Sequence, residues 1–277
     1  MSFDYSTPAI IKWKLDEFLN IIDEFENELI EKTHRKISAG NNYQTILLHI
    51  CGKSILTIRE ILTLCANGYS DGALSLGRNL YEQMMIIAFF EMRKNDEDFQ
   101  EYVDDFFLSY EVQRNKCLRD ISRYVPDDSI DELEENYKNY KKRTKQHIKG
   151  DYWWARCSSF SKLIECVMDG QTDDKFRVFL GVHYARYKRA CVALHANCLG
   201  NSIRVGNNSG FCVVNTSPSL FGQSTPLIYA AVSLIAIIGF VCYTFQIDES
   251  KFLKTLNELT LFYQNQEKED SACDKMN

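Results

Sequence analysis

Two short stretches of the sequence place charged and aromatic side chains among apolar neighbours, as binding and catalytic sites often do. The first, ALSLGRNLYEQMMIIAFF, contains Arg78 and Glu82, four residues apart. Residues at this spacing share one face of a helix. A buried charge is costly unless it is paired and hydrogen-bonded. We therefore predict that Arg78 and Glu82 contact each other and a third group, either as a structural ion pair or as part of a binding site.

The second stretch, YARYKRACVALHANCL, covers residues 184–199 and reads as a helix. At about 100° per residue, four of its side chains form one line: Tyr184, Lys188, Cys191 and His195. Tyr187 lies one step to the side of this line, and Arg189 lies about 120° from His195. A core histidine would also fit this pattern, so the stretch indicates either a packed helix or a site.

A metal-independent cleavage of RNA is one chemistry that these residues could support. A base would remove the proton of the 2′-hydroxyl, and a cation would stabilise the charged phosphorane. We assign the base to His195, the cation to Arg189 or Lys188, and the positioning of the phosphate to Tyr187. Cys191 beside His195 is a weaker alternative, a nucleophile with no orienting third group in the sequence.

A second interpretation makes the same region a non-catalytic sensor or binding module. Here Arg78 and Glu82, with Tyr187 and His195, would bind a small anionic ligand or a segment of a protein partner, and Tyr184 and Cys191 would line the site. The sequence has no phosphate-binding glycine motif, no H-E-x-x-H and no G-x-S-x-G. Its five histidines have no ligand-like spacing, so we predict neither a cofactor nor a metal.

The composition indicates one folded domain without long linkers. The 277 residues are 45% hydrophobic and 25% charged, and only 4 are proline. A net charge of −6 argues against a strongly basic nucleic-acid-binding surface over the whole chain. The ten cysteines form no C-x-x-C pair, which is typical of a reducing compartment. No secretory signal is recognisable, and we predict a cytoplasmic protein.

The hydrophobic pattern predicts an all-α fold, a multi-helix bundle with a long N-terminal helix. That helix follows Pro8, and two more apolar helices follow, one ending near Cys65 and one near Met92. A short helix is predicted over 158–168, and Asp173 and Asp174 open the helix of the second stretch. A last amphipathic helix is predicted over about 250–264. We expect one domain over 1–264 and a disordered tail over 265–277.

Two segments depart from the bundle pattern. Residues 95–149 are highly charged, and their pattern predicts a solvated helical arm. The basic run 141–145 could contact phosphates, but its acidic neighbours weaken that indication. Residues 200–226 are rich in Asn, Ser, Gly and Pro and predict a long loop. Within this loop, SIRV and FCVV could pair as a small β-hairpin near 202–214.

Residues 227–247 contain no charged residue and are long enough to span a bilayer. Ser233, Gly239, Thr244 and Gln246 dilute the apolar run, and neither flank has the Lys/Arg cluster that orients a span. We therefore favour a helix buried in the bundle core. The alternative is a membrane-anchored effector.

The motifs resemble those of an uncharacterised bacterial helical family that carries a domain-of-unknown-function label. Its alanine-rich R-x-x-x-E helix corresponds to Arg78 and Glu82, and its Trp segment to residues 151–154. Its Y-x-x-x-S-x-x-x-H helix corresponds to Tyr187, Cys191 and His195, with Cys191 where the family usually has Ser. The resemblance covers roughly residues 45–200 and implies no activity.

A more distant resemblance is to the HEPN helical bundles, which carry an R-x(4–6)-H motif, matched here by Arg189 and His195. Many of them are metal-independent ribonucleases of toxin–antitoxin and phage-defence systems, and the motif usually lies at a homodimer interface. This resemblance implies a toxin-type effector, RNA as a partner and a homodimer.

Overall fold

The computed structural model describes residues 9–33, 42–122, 135, 137–139, 142, 150–194, 205–208, 211–214 and 222–273. Its helices are α1 Ala9–Thr33, α2 Asn42–Ala66, α3 Ser70–Arg93, α4 Phe99–Ser122, α5 Phe160–Gly170, α6 Asp174–Leu194, α7 Ser224–Phe245 and α8 Ser250–Cys273. A 3-10 turn covers Trp153–Ala155, and residues 135, 137–139 and 142 are also helical. The predicted all-α bundle is confirmed.

The helices form two compact units. Unit 1 contains the described residues up to Ile87 and those from Lys175 onward, and unit 2 contains the described residues of 88–174. In unit 1, α7 packs against α2 and α8, and α1 packs against α2 and α8. The prediction of one folding domain over 1–264 stays a prediction.

Helix α7 forms the apolar centre of unit 1. Within the described chain it is the one helix long and apolar enough to cross a bilayer. Most of its side chains are nevertheless buried inside unit 1, among them Ile228, Leu234, Ile237 and Val241. This burial favours the interpretation as an interior helix, and the membrane anchor stays a prediction. The helix ends at Gln246, which has a left-handed φ of 57°, and Ile247 N–H donates to the Cys242 carbonyl at 3.0 Å.

Unit 2 is organised around aromatic side chains. The Trp154 ring stacks on Phe90 at 5.3 Å between centroids, and it meets Phe106 edge-on at 4.8 Å and Phe89 at 5.5 Å. Aromatic pairs in these geometries add to the free energy gained by burying their area. At the start of α5, the Ser159 side chain accepts a hydrogen bond from Lys162 N–H at 3.3 Å, which is the N-cap contact that begins this helix.

Two helices differ in detail from the prediction. Helix α8 continues to Cys273 instead of ending near residue 264, and Glu267 in the added part accepts a hydrogen bond from Thr225 at 2.7 Å. Helix α4, in the predicted arm, buries Tyr102, Val103 and Val112, so one face of this helix is packed and the other is exposed to solvent. Most of the remaining arm, including all of the basic run 141–145 except Lys142, lies outside the described residues.

The predicted hairpin is present as an antiparallel pair. Strand β1 covers Val205–Asn208 and β2 covers Phe211–Val214, with Val205 opposite Val214 and Asn208 opposite Phe211. The first strand therefore begins at the last residue of SIRV and also includes Gly206, Asn207 and Asn208. The rest of the predicted loop before residue 222 lies outside the described residues.

Candidate functional site

The Arg78 cluster, defined as Arg78, Glu82 and Tyr187, joins helices α3 and α6 within unit 1. Arg78 Nε donates to Glu82 Oε1 at 2.9 Å. The Tyr187 hydroxyl donates to the same carboxylate oxygen at 3.3 Å. The predicted contact between Arg78 and Glu82 is therefore formed, and Tyr187 is the third group.

The guanidinium of Arg78 is fixed in position and remains charged. Partial burial disfavours its charge, but Glu82 and the Tyr187 hydroxyl outweigh that effect and raise the pKa of Arg78 above its ordinary value. The Arg78 Cζ atom lies 6.0 Å from the centre of the Tyr187 ring. The side chain of Arg78 is 31% exposed and that of Glu82 is 21% exposed, so the cluster is accessible from solvent.

Two buried tyrosines, which sequence reasoning missed, hold the helices of this cluster together. Tyr81 is fully buried, with its ring 5.2 Å from Tyr187, and its hydroxyl donates to the Leu180 carbonyl at 3.2 Å. The Tyr229 hydroxyl of α7 donates to the His183 carbonyl at 3.0 Å. Both bonds end on the backbone of α6, so they set its position against α3 and α7. In the sequence, the position of Tyr81 next to Glu82 was the signal that could have indicated its role.

Gly77, the residue before Arg78, allows a close approach between α3 and α7. A Cβ atom at this position would meet Cγ of the Tyr229 ring at 3.3 Å, which is tighter than most such contacts. The absence of a side chain at Gly77 therefore brings Tyr229 close to the backbone that carries Arg78. A larger residue here would displace the tyrosine that anchors α6.

His183 is a buried histidine of α6 that we had not assigned to a site. Burial and the nearby Arg186 lower the pKa of His183 to about 4, so it is neutral at physiological pH. Arg186 Nη1 lies 3.2 Å from His183 Nδ1, which is consistent with a neutral ring that accepts a hydrogen bond there. The other terminal nitrogen of Arg186, Nη2, lies 3.8 Å from Glu267 Oε2. His183 therefore supports the packing of α6.

The remaining predicted residues of α6 differ in how they relate to the Arg78 cluster. Lys188 Nζ lies 5.1 Å from the centre of the Tyr184 ring, whose own ring stacks near Tyr187 at 6.0 Å. The pKa of Tyr187 is raised, first by burial and second by its interaction with Cys191. Arg189 is exposed and takes part in none of the contacts described for the cluster. His195 lies outside the described residues, so its convergence with Arg78 stays a prediction.

The described residues contain no group of three or more His, Cys, Asp and Glu that could hold a metal ion. An open groove of about 360 Å³ lies elsewhere in unit 1. It is lined by residues of α1 and α8, among them Asp16, Glu17, Glu24 and Lys251. This groove is mainly acidic and contains none of the predicted site residues, so we do not assign the anionic ligand to it.

Comparison with known proteins provides one relationship. Neither the search of curated proteins nor that of solved structures gives a match. The model of a family of unknown function, DUF5677, matches residues 44–211. This range includes all but the first two residues of α2, the whole of α3 to α6 and the residues of the Arg78 cluster. Because the match covers more than half of the chain, the protein belongs to the DUF5677 family.

Proposed function

We propose that the protein is a binding module for a small phosphate-bearing ligand, which it holds at the Arg78 cluster. The observation that carries this proposal is the geometry of Arg78, whose guanidinium is charged, partly exposed and fixed by Glu82 and Tyr187. A fixed guanidinium loses less conformational freedom on binding than a mobile surface arginine does. We place the protein in the cytoplasm.

The chemistry of the arginine side chain supports an anionic ligand. Glu82 accepts from Nε, and a guanidinium has further N–H donors on its terminal nitrogens that match the oxygens of a phosphate. Hydrogen bonds from a charged donor to a phosphate oxygen are among the strongest in proteins. Arg78 would therefore contribute the main attraction.

Lys188 and Tyr184 extend the same site along α6. A hydrogen bond with Tyr184 is the main cause of the raised pKa of Lys188, and this lysine is exposed. A second cation on the helix that carries Tyr187 favours a ligand with more than one negative charge, such as a phosphate monoester. The partly exposed Tyr184 ring offers an apolar surface to an organic part of that ligand.

A thermal-shift screen against inorganic phosphate, nucleoside monophosphates and diphosphates, and sugar phosphates tests this proposal. We expect a ligand that raises the melting temperature of the wild type, and Arg78→Gln should weaken its binding by about tenfold to a hundredfold. The matched control is Arg114→Gln, an exposed arginine of unit 2, which should bind like the wild type. The proposal fails if no ligand shifts the wild type, or if both variants bind equally well.

We propose as a second function a metal-independent ribonuclease of the HEPN-like, toxin-type class that acts in bacterial phage defence. The observation in its favour is that Lys188 and Arg189 are both exposed on α6. In the sequence, five residues separate Arg189 from His195. His195 would remove the 2′-hydroxyl proton, and a cation of either residue would stabilise the phosphorane. Arg189 takes part in none of the contacts described for the Arg78 cluster. We therefore assign the groups that would act together with Arg189 to the second chain of a homodimer.

Incubation of the full chain with total RNA, with and without EDTA, tests the ribonuclease. We expect cleavage that EDTA does not reduce and that His195→Ala and Arg189→Gln each lower by at least about a hundredfold. Arg189→Gln also separates the two functions, since the binding module predicts unchanged ligand affinity for this variant. Equal cleavage by wild type and His195→Ala would show that the activity belongs to a contaminant.

A further inference from the structure

Unit 2 contains two cysteines in contact, close to a fixed arginine. Cys157 lies between the 3-10 turn and α5, and Cys166 lies within α5. The two thiols are close enough for each to be the largest influence on the pKa of the other. Arg93, the last residue of α3, places Nη2 3.6 Å from Cys166 Sγ. Nothing in the sequence pattern singles out this pair, because its members are nine residues apart.

The guanidinium of Arg93 is held in place on several sides. Asp96 accepts a hydrogen bond from Nη1 at 3.0 Å. The Cζ atom lies 6.0 Å from the ring centres of both Phe89 and Tyr102. The bond with Asp96 is the main cause that raises the pKa of Arg93. A permanent positive charge therefore stands beside the Cys166 sulfur.

The thiolate of this pair is located on Cys166. The hydrogen bond from Cys157 and the charge and hydrogen bond of Arg93 lower the pKa of Cys166 to about 6, against the opposing effects of burial and Asp169. The same contact raises the pKa of Cys157, which stays protonated and can donate. The Cys157 thiol also lies 3.4 Å from the Ala155 carbonyl oxygen, a second acceptor.

Accessibility distinguishes this pair from several other cysteines of the described chain. Cys157 and Cys166 are both half-buried, so a small reagent can reach them. Cys51 and Cys65 are fully buried, and burial raises the pKa of each to about 12. Thiolate character together with exposure determines which cysteines are oxidised.

We infer that Cys166 and Cys157 form a peroxide-reactive thiol pair that closes reversibly to a disulfide. The Cys166 thiolate attacks one oxygen of hydrogen peroxide, so that an S–O bond forms, the O–O bond breaks and the leaving hydroxide is protonated to water. Cys157 then attacks the sulfenic acid of Cys166, the S–S bond forms and a second water leaves. Two thiols lose two electrons, and the peroxide is reduced to two waters. A thiol such as glutathione restores the pair by exchange.

The local structure is compatible with closure of this disulfide. Cys166 is fixed within a helix, whereas Cys157 is in a non-helical segment that follows Arg156, a residue with a left-handed φ of 57°. The sulfur atoms must approach each other to the about 2.05 Å of a disulfide. We expect the segment that carries Cys157 to make this movement.

Mass spectrometry of the full chain after brief treatment with hydrogen peroxide at pH 5.5 tests the inference. The wild type should give a Cys157–Cys166 disulfide. Cys157→Ser should instead accumulate a Cys166 sulfenic acid that dimedone captures, and Cys166→Ser should leave Cys157 reduced. A captured sulfenic acid on Cys157, or a disulfide that links separate chains, would overturn it.

The rate of alkylation by iodoacetamide at pH 5.5 provides a second readout that needs no disulfide. The exposed Cys117 of unit 2 is the matched control. An ordinary thiol would have a thiolate fraction a few hundredfold below that of Cys166, and the lower nucleophilicity of an acidic thiolate reduces this advantage by about tenfold. We therefore expect Cys166 to react on the order of tenfold faster than Cys117.

Arg93→Gln should remove most of this rate advantage, and Arg93→Lys should keep part of it, with circular dichroism verifying that both variants fold. Equal rates for Cys166 and Cys117 in the folded wild type would contradict the inference. The result does not depend on ligand binding at the Arg78 cluster, so either proposal can fail without the other.

Discussion

Replacement of Trp154 by alanine is expected to lower the free energy of unfolding of unit 2 by about 3–5 kcal/mol. Trp154 is only 3% exposed, and its ring contacts Phe89, Phe90 and Phe106. The substitution removes a large apolar surface and leaves a cavity that the surrounding rings can fill only in part. It also removes the stacked and edge-on contacts of three aromatic neighbours.

Urea denaturation combined with amide hydrogen exchange measures this loss. Exchange in α4 and α5 should accelerate, because both helices belong to unit 2. Trp13→Ala is the matched control, since Trp13 is 59% exposed and its removal should change stability by less than about 0.5 kcal/mol. Similar losses in the two variants would mean that the aromatic core of unit 2 is not what stabilises it.

Acidification from pH 7 to pH 4 is expected to destabilise unit 1 by about 3 kcal/mol through His183 alone. The pKa of this histidine is lowered from 6.5 to about 4, by burial first and then by Arg186. The folded state therefore binds the proton less readily than the unfolded state. The contribution of this pKa difference to the free energy of unfolding is fully present above pH 6.5, and it is lost as the pH falls from 6.5 toward 4.

Melting temperatures of wild type and His183→Gln across this pH range test the assignment. The variant removes the titrating group, so its stability should fall less steeply between pH 6.5 and pH 4 than that of the wild type. His49→Gln, an exposed histidine of α2, should keep the wild-type slope. If His183→Gln also keeps that slope, His183 does not titrate as its burial requires.

The helices could be predicted from sequence because periodicity and breakers act locally. Helix α2 ends at Ala66, close to the predicted end near Cys65, and Asp174 begins α6, as the pattern indicated. The i,i+4 contact between Arg78 and Glu82 was predictable for the same reason. Helix α8 was predicted too short, because contacts of Glu267 with α6 and α7 are tertiary and leave no local signal.

The groups that complete the two sites depend on tertiary placement. Tyr187 meets Glu82 across 105 residues of sequence, so its role as the third group could not be deduced from either stretch alone. Cys157 lies in a non-helical segment and Cys166 in a helix, so no helical spacing in the sequence predicts that they are close. On α6, Lys188 and Tyr184 are in contact, and Arg189 is exposed and takes part in none of the contacts described for the Arg78 cluster.

The most direct test of the central claim is an isothermal titration of the best ligand from the phosphate screen into wild type, Arg78→Gln and Glu82→Gln. We expect measurable binding by the wild type and a loss of about tenfold to a hundredfold in Arg78→Gln. Glu82→Gln should show a smaller loss, because it keeps the arginine charge and removes only the group that fixes it. Equal affinity of the wild type and Arg78→Gln would contradict ligand binding at the Arg78 cluster.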